Sequence, residues 1–367
     1  MYQIERAIFD IRRGLPVVVS DGEQRLLMQA LEGSESVEAL ALLAGKQPSL
    51  VLTRHRLAAM GMSVTAEAAS LPLPAHISTN ELYGLATAET PPQSADGLLS
   101  GLIPAGQAEL GAVTLMRRAL LIPAALCAFV SEEATAAIEQ QLAEGRLLQI
   151  SAKDAAQCLA GAPGMLKRVS EATIPLEDAA DSRFVLFREP DGLREHVAVV
   201  IGQPERWEGA VPLRLHSACL TGDLFGSLRC DCGEQLRNAV ADIQAMGGGV
   251  LLYLAQEGRG IGLANKLRAY TLQDGGLDTV DADQVLGFGD DERHYAVAVD
   301  MLNALNIGQV QLLTNNPLKM EALRQGGIEV VSRQALYGSV TDHNQRYLSA
   351  KATRGGHLLE DVLNGQR

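Results

Sequence analysis

Val250-Leu251-Leu252-Tyr253-Leu254-Ala255-Gln256-Glu257-Gly258-Arg259-Gly260-Ile261-Gly262 is the stretch that decides the fold. Its first five residues form an apolar run of strand length, and the glycines that follow mark a tight turn. Upstream, Leu236, Val240 and Ile243 make a helical stripe that stops at Gly247-Gly248-Gly249. Downstream, the turn opens a helix over 263–272 that carries Asn265, Lys266, Arg268 and Tyr270. Helix, strand, glycine turn and helix in that order predict an α/β domain with its chemistry on the loops after the strands. The alternation continues with a helix over 294–305, a strand over 310–314, a helix over 317–324 and a strand over 328–331. Before it, strands over 183–187 and 196–201 flank the turn-forming Pro190-Asp191-Gly192 and predict a small antiparallel sheet.

Working outward, the N-terminal residues repeat the theme. Ile4, Ala7, Ile8 and Ile11 line one face of a helix over 3–14, and the apolar run 16–19 reads as a strand. Residues 87–106, with Pro91, Pro92, Gly97, Gly101 and Pro104, read as a long surface loop. Helical patterns return over 132–160, and Gly161-Ala162-Pro163-Gly164 breaks the chain. With 367 residues, 47% of them hydrophobic and 20% charged, the chain exceeds one typical domain. The expected division is 1–163 and 164–367.

The net charge of −13 and a pI near 5.1 repel a phosphate backbone, so no nucleic-acid partner is expected and any nucleotide must meet a local basic site. The longest apolar run, 119–130, is interrupted by Pro123 and falls short of the roughly 20 residues of a membrane span. Residues 1–11 lack the basic start and apolar core of a secretory signal. The expectation is a soluble, cytoplasmic protein without a membrane partner.

Of five cysteines, Cys127 and Cys158 sit alone in apolar or helical surroundings and read as buried small hydrophobes. Cys219, Cys230 and Cys232 fall in one short segment, and an odd, uneven set argues against a disulfide framework. Three thiolates without a fourth suit a catalytic zinc site, in which water or substrate takes the open position and water ionises near neutral pH. The rival reading is a structural site closed by His216 or a distant residue, or three cysteines buried by chance. The polar neighbours Asp223, Arg229 and Asp231 disfavour a dry core.

Three further segments could hold a phosphorylated ligand. In Gln256 to Gly262 the glycines let backbone N–H groups approach an anion, with Arg259, Lys266 and Arg268 adding charge; the same glycines could serve turn geometry alone. In Thr314-Asn315-Asn316-Pro317-Leu318-Lys319, Asn316 fits a helix cap and Pro317 the first helical position. Lys319 in the first turn opposes the helix dipole, so it is either solvated or placed for an anion. In Gly289-Asp290-Asp291-Glu292-Arg293 the acids suit ordinary capping, yet Asp291 and Arg293 could act as base and phosphate partner.

Taken jointly, the blocks HSxCLTGD…SLRCDCGxQL, QEGRGIGL, NKxRAYxLQD, DTV, LGF with DER, LLTNNPxK and the terminal Lys351…Gly356-His357-Leu358-Leu359 resemble GTP cyclohydrolase II over about 164–363. The resemblance implies an α/β fold with a mixed sheet, and zinc on Cys219, Cys230 and Cys232. It also implies GTP contacts from Arg214, Leu215, His216, Ser217, Ala218, Gln235, Glu257, Gly258, Arg259, Thr279, Thr314 and Lys319. Asp291 would be the proton acceptor, Arg293 a nucleophile toward the α-phosphate, and Tyr270 a participant in ring opening. Magnesium would accompany the leaving pyrophosphate, and a homodimer is expected. A guanidinium is a poor nucleophile unless a base takes its proton, so Arg293 could instead clamp the α-phosphate while water attacks. Two positions depart from the family pattern: Ala218 replaces a glutamate and Ala255 an arginine, a paired loss of opposite charges.

The first domain faintly resembles dihydroxybutanone phosphate synthase, to which such cyclohydrolases are often fused. Where that enzyme carries a magnesium-binding acidic stretch, this chain has Ser20-Asp21-Gly22-Glu23-Gln24-Arg25-Leu26-Leu27, and an expected histidine is missing near Ala108-Glu109-Leu110-Gly111-Ala112. Asp21 and Glu23 are too few to rebuild a magnesium site. The expectation is a degenerate α/β scaffold that supports folding or dimer packing, without synthase activity; the alternative is a regulatory binding role. For the whole chain the expected function is hydrolysis of GTP to a diaminopyrimidinone ribosyl phosphate, formate and pyrophosphate. The alternatives are a catalytically silent GTP- and zinc-binding regulator, or an enzyme that stops at the formamide intermediate.

Overall fold

A computed structural model of the protein describes residues 2–33, 37–93, 95–160 and 164–341, with 344, 345, 352, 354 and 358. The chain break expected at 161–163, and the terminal motif apart from Leu358, lie outside the described residues. Two compact units result: Met1–Ala160 with Ala264–Glu292, and Gly161–Leu263 with Arg293–Arg367.

The first unit is built on strands β1 (Val17–Asp21), β2 (Gln24–Ala30), β3 (Ser49–Thr53), β4 (Ala68–Pro72), β5 (Ile103–Pro104), β6 (Ala124–Phe129) and β7 (Gln149–Ser151). Their order is β5-β4-β3-β6-β2-β1-β7, antiparallel except for the β1–β7 pair. The helix Tyr2–Arg12 buries Ala7, Ile8 and Ile11, the stripe its sequence shows. The core gathers Val18, Leu27, Leu50, Leu52 and Leu126 under Leu82 and Leu85. At the β1–β2 hairpin Asp21 pairs with Gln24 across Gly22, whose φ of 59° suits glycine, and Asp21 and Glu23 are exposed to solvent.

Residues 87–106 are not one long loop. The segment holds the helix Ala95–Leu99 and strand β5, and Ala95 and Leu99 are buried with Leu98 packed beside them. Proline and glycine mark its turns correctly, but the apolar residues at helical spacing between them were enough to fold one turn against the core. Likewise the helical stretch 132–160 is two helices, Glu132–Ala143 and Ala152–Gln157, parted by β7. The helix Leu263–Asp274, from Ala264 on, and the helix Thr279–Val285 also belong to this unit, although their sequence lies beyond the expected boundary.

The second unit carries β8 (Lys167–Thr173), β9 (Ser182–Arg188), β10 (Glu195–Ile201), β11 (Val211–Ser217), β12 (Gly249–Leu254), β13 (Gln309–Leu313) and β14 (Glu329–Gln334) in the order β14-β13-β11-β12-β10-β9-β8. Strands β14, β13, β11 and β12 run parallel, and β10, β9 and β8 continue the sheet antiparallel. The small antiparallel sheet read from 183–201 is thus one flank of a mixed sheet. Leu252 and Leu254 join one core with Leu213, Leu215, Met301 and Leu302, whereas Leu251 joins another with Val199, Ile201 and Ile243. Burial on both faces explains why β12 is apolar throughout rather than alternating. The register Ser217↔Leu254 and Leu213↔Leu312 brings the carboxyl ends of β11, β12 and β13 to one edge, where the cysteine loop, the glycine turn and the Asn-Asn-Pro turn begin.

Candidate functional site

Cys219 lies just past β11, and Cys230 and Cys232 lie at the start of the helix Cys232–Ala245. Their three sulfur atoms fall within 4.8 Å of one another, and the Cys219 and Cys230 Sγ atoms are 3.7 Å apart. Tetrahedral sulfurs on a zinc ion, each at about 2.3 Å, stand roughly 3.8 Å from one another, so the spacing fits. Gly222 floors the cluster: a Cβ there would sit 2.7 Å from Cys230 Sγ and 3.1 Å from Cys219 Sγ. Sharing a hydrogen bond with Cys219 pushes the Cys230 thiol above its ordinary range, the direction expected for crowded sulfurs that a cation would reverse.

His216 does not complete the set. Its Nε2 faces both carboxylate oxygens of Asp223 at 3.1 Å, and it is not among the converging ligand atoms. Asp223 is the hub here. It also accepts the Tyr253 hydroxyl at 2.8 Å and the Cys219 backbone N–H at 2.9 Å, and the His216 and Tyr253 rings stack 5.5 Å apart. A carboxylate only accepts, so His216 carries its proton on Nε2 and its buried Nδ1, which has no protein hydrogen bond, is a bare acceptor. Burial holds the His216 pKa below its ordinary value. The sequence marks Asp223 only as a polar neighbour of the cysteines and gives no local sign of Tyr253. The signal lies in the register, since His216 pairs with Tyr253 across β11 and β12.

Beside the thiols, Arg214 is 6% exposed and donates to the Leu313 carbonyl at 2.8 Å and to Gln235 Oε1 at 2.6 Å. Gln235 in turn donates to Asp231 at 2.5 Å. Burial lowers the Arg214 pKa to about 10, which leaves it charged at neutral pH. Its Nε, together with Ser217 Oγ, is buried without a protein hydrogen-bond partner. Asn316 caps the helix Pro317–Gln325 by accepting the Leu318 N–H at 2.9 Å, and Thr314 Oγ1 accepts the Asn316 N–H at 3.0 Å. Lys319, at 6% exposure, is not solvated: its Nζ donates to the Leu215 carbonyl at 2.6 Å and stands 6.0 Å from the Tyr295 ring. A buried ammonium at a helix start is costly for folding alone, so the anion reading of Lys319 gains weight.

The glycine turn is conformationally unusual. Gly258 and Arg259 both adopt left-handed φ values, 61° and 59°, and for arginine this costs about 1 kcal/mol or more. Glu257 ties the turn to the cysteine loop by accepting the Leu220 N–H at 2.7 Å. The Ala218 N–H donates to the Leu254 carbonyl at 2.8 Å, and Ala255 donates to His196 Nδ1 at 3.0 Å. The two alanines therefore sit just past the carboxyl ends of the adjacent strands β11 and β12.

Tyr270, Thr279 and Asp291 lie in the first unit and Arg293 in the second. Lys266 Nζ stands over the Tyr270 ring at 5.6 Å, and Thr279 opens a helix capped by Asp278. Arg268, which the sequence offered as added positive charge near the glycine turn, is engaged within its own unit by Glu32 at 2.6 Å and by Asn265 Oδ1 at 2.6 Å. Arg293 stands 5.9 Å from the Tyr295 ring.

Residues 167–335 match the family model described as GTP cyclohydrolase II. The chain is 43% identical over 365 residues to a GTP cyclohydrolase-2 of Azospirillum brasilense, covering 98% of this chain and 94% of that protein. The chain belongs to the GTP cyclohydrolase II family. A GTP cyclohydrolase-2 of Xylella fastidiosa is 42% identical over 359 residues, with 97% and 87% covered. A riboflavin biosynthesis protein RibBA of Thermotoga maritima is 50% identical over 199 residues, 54% of this chain and 50% of that one. This GTP cyclohydrolase II family member is therefore a hydrolase of riboflavin biosynthesis, and relatives named for the cyclohydrolase alone share its first unit as well.

Proposed function

We propose that the protein hydrolyses GTP to 2,5-diamino-6-(ribosylamino)pyrimidin-4-one 5'-phosphate, formate and pyrophosphate. The observation that carries the reading is the converging trio Cys219, Cys230 and Cys232 over Gly222, with the buried cations Arg214 and Lys319 in the same unit. The three thiolates would hold zinc, which supplies Lewis acidity and water ionised near neutral pH. Arg214 to Ala218, Gln235, Glu257 to Arg259, Thr279, Thr314 and Lys319 bind GTP. Magnesium accompanies the pyrophosphate and shields its charge.

The residues of this chain divide the work by chemistry. The bare Nδ1 of His216, the free Nε of Arg214 and the Ser217 hydroxyl supply buried hydrogen-bonding capacity that a polar ligand would satisfy. Asp291 takes a proton, Tyr270 assists ring opening, and Arg293 either attacks the α-phosphate or clamps it. Electrostatic clamping is favoured, because a guanidinium keeps its proton at ordinary pH. Residues 164–367 form the catalytic domain by descent and 1–163 a synthase-derived scaffold. Asp21 and Glu23 are exposed, Glu109 is used in capping and accepts the Gly106 N–H at 2.7 Å, and among the described residues no cluster of acids converges there. The assembly is a homodimer.

The test is incubation of zinc-loaded protein with GTP and magnesium, following formate, pyrophosphate and the pyrimidine, beside a Cys230→Ser variant. All three products with a dead variant support the reading. GTP binding without pyrophosphate release would sink it in favour of a regulator, and pyrophosphate without formate would mark the truncated reaction. Ribulose 5-phosphate should yield no dihydroxybutanone phosphate.

A further inference from the structure

The helices Leu263–Asp274 and Thr279–Val285, with the loop that follows to Glu292, are held in the first unit by polar groups as well as by apolar packing. Arg56 is 1% exposed, and its three donors reach backbone carbonyls: Leu85 at 2.7 Å, Gly84 at 3.0 Å and Val285 at 3.0 Å. It thus reaches the C-terminal ends of two helices, Thr79–Thr87 and Thr279–Val285, where a cation is favoured; the Gly84 carbonyl also accepts the Ala88 N–H at 3.1 Å. Next to it, Thr53 Oγ1 donates to the Gly287 carbonyl at 2.7 Å while capping its own helix.

Farther along, Arg117 in the helix Gln107–Arg118 places Nε 3.0 Å from Glu292 Oε2, and its Nη2 binds the same oxygen. The other oxygen of Glu292 accepts the Gly289 N–H at 2.8 Å, and the Glu292 side chain is only 6% exposed. The carboxylate therefore ties residue 289 to residue 292 and closes a small loop with Asp291 inside it. A Cβ on Gly289 would lie 3.3 Å from Glu292 Oε1 and 3.5 Å from His55 Nε2, so the loop has little slack.

We propose that Arg117, supported by Thr53 and Arg56, is a positioning residue for the cyclohydrolase reaction: it fixes the 289–292 loop and thereby the carboxylate of Asp291. The inference rests on the reading of Asp291 as proton acceptor. It gives the first unit a task in catalysis that needs no synthase chemistry. Backbone carbonyls and one shielded carboxylate are what a scaffold must hold to set a chain path, whereas simple burial would need only apolar contact. Displacing a catalytic group by about 1 Å can cost about 100-fold in rate.

The experiment compares the full-length, zinc-loaded protein with Arg117→Ala, Arg117→Lys and Glu292→Gln. With GTP, Arg117→Ala should lower kcat by about 10- to 100-fold with KM changed less than about threefold and zinc content intact. Arg117→Lys, which keeps a cation, should recover part of the loss. Amide hydrogen exchange over 286–292 should quicken in Arg117→Ala and Glu292→Gln and stay unchanged over 236–245. Wild-type kcat in Arg117→Ala, or unchanged exchange over 286–292, overturns the proposal. If the parent protein itself does not turn over GTP, the proposed function fails, and the exchange data alone decide whether Arg117 fixes the loop. Should Arg117→Ala not fold, Glu292→Gln carries the same comparison with a near-isosteric change.

Discussion

Gly222→Ala adds a single methyl to the floor of the thiol cluster. That methyl would lie 2.7 Å from Cys230 Sγ, 3.1 Å from Cys219 Sγ and 3.1 Å from Cys232 Cβ. Ordinary van der Waals separation is about 3.5–4.0 Å, so the closest approach is short by about 1 Å. The backbone at 222 is not left-handed, so the penalty is steric and falls on the sulfurs themselves. Overpacking of this kind costs about 1–3 kcal/mol. If the sulfurs yield, the cost appears in metal affinity, and at about 1.4 kcal/mol per tenfold it weakens zinc by roughly 5- to 150-fold. The assay is competition with a chromophoric chelator at fixed pH, with Gly308→Ala as control because a Cβ there meets nothing within 4 Å. Zinc affinity in Gly222→Ala equal to that of the control would refute the reasoning, since the cluster would then be loose enough to absorb a methyl.

Lys319→Met removes a buried charge that donates to the Leu215 carbonyl while keeping most of the side-chain volume. Charged hydrogen bonds contribute about 1.5–3 kcal/mol, so KM for GTP should rise about 10- to 150-fold with the fold intact by circular dichroism. An unchanged KM would remove Lys319 from the phosphate site. For His216, burial depresses the folded pKa below 6.5. Between the two values the unfolded chain holds a proton that the folded one does not, so stability is fully present above about 6.5 and falls as pH drops through the folded value. His216→Gln should lose less stability than the parent between pH 7 and 5 in urea titrations, and nitrogen-15 spectra at pH 7 should show a neutral ring protonated at Nε2. An imidazolium at pH 7 would contradict the assignment.

The thiol trio, the Asn316 cap with Pro317 after it, and the strands bordering the glycine turn were legible because each is set by neighbours in sequence. The hub at Asp223 was not, since His216 and Tyr253 meet it only once β11 and β12 lie in register. The burial of Lys319 and the ion pair of Arg268 with Glu32 have no counterpart in the local sequence. Burial and long-range ion pairs are properties of packing, and local pattern carries no record of them. For the same reason the assignment of Ala264–Glu292 to the first unit was invisible in a sequence whose motifs run on without a break.

That assignment bears on descent. A domain joined to its neighbour by a linker can be deleted in one step, but here a deletion of 1–160 would take Arg56 from the carbonyl of Val285, Thr53 from that of Gly287 and Arg117 from Glu292. Each orphaned group would need its own replacement before the shortened chain regained the same loop. A unit assembled from two separate stretches of chain cannot be lost in one deletion without the 286–292 loop being rebuilt, so its retention requires no activity of its own.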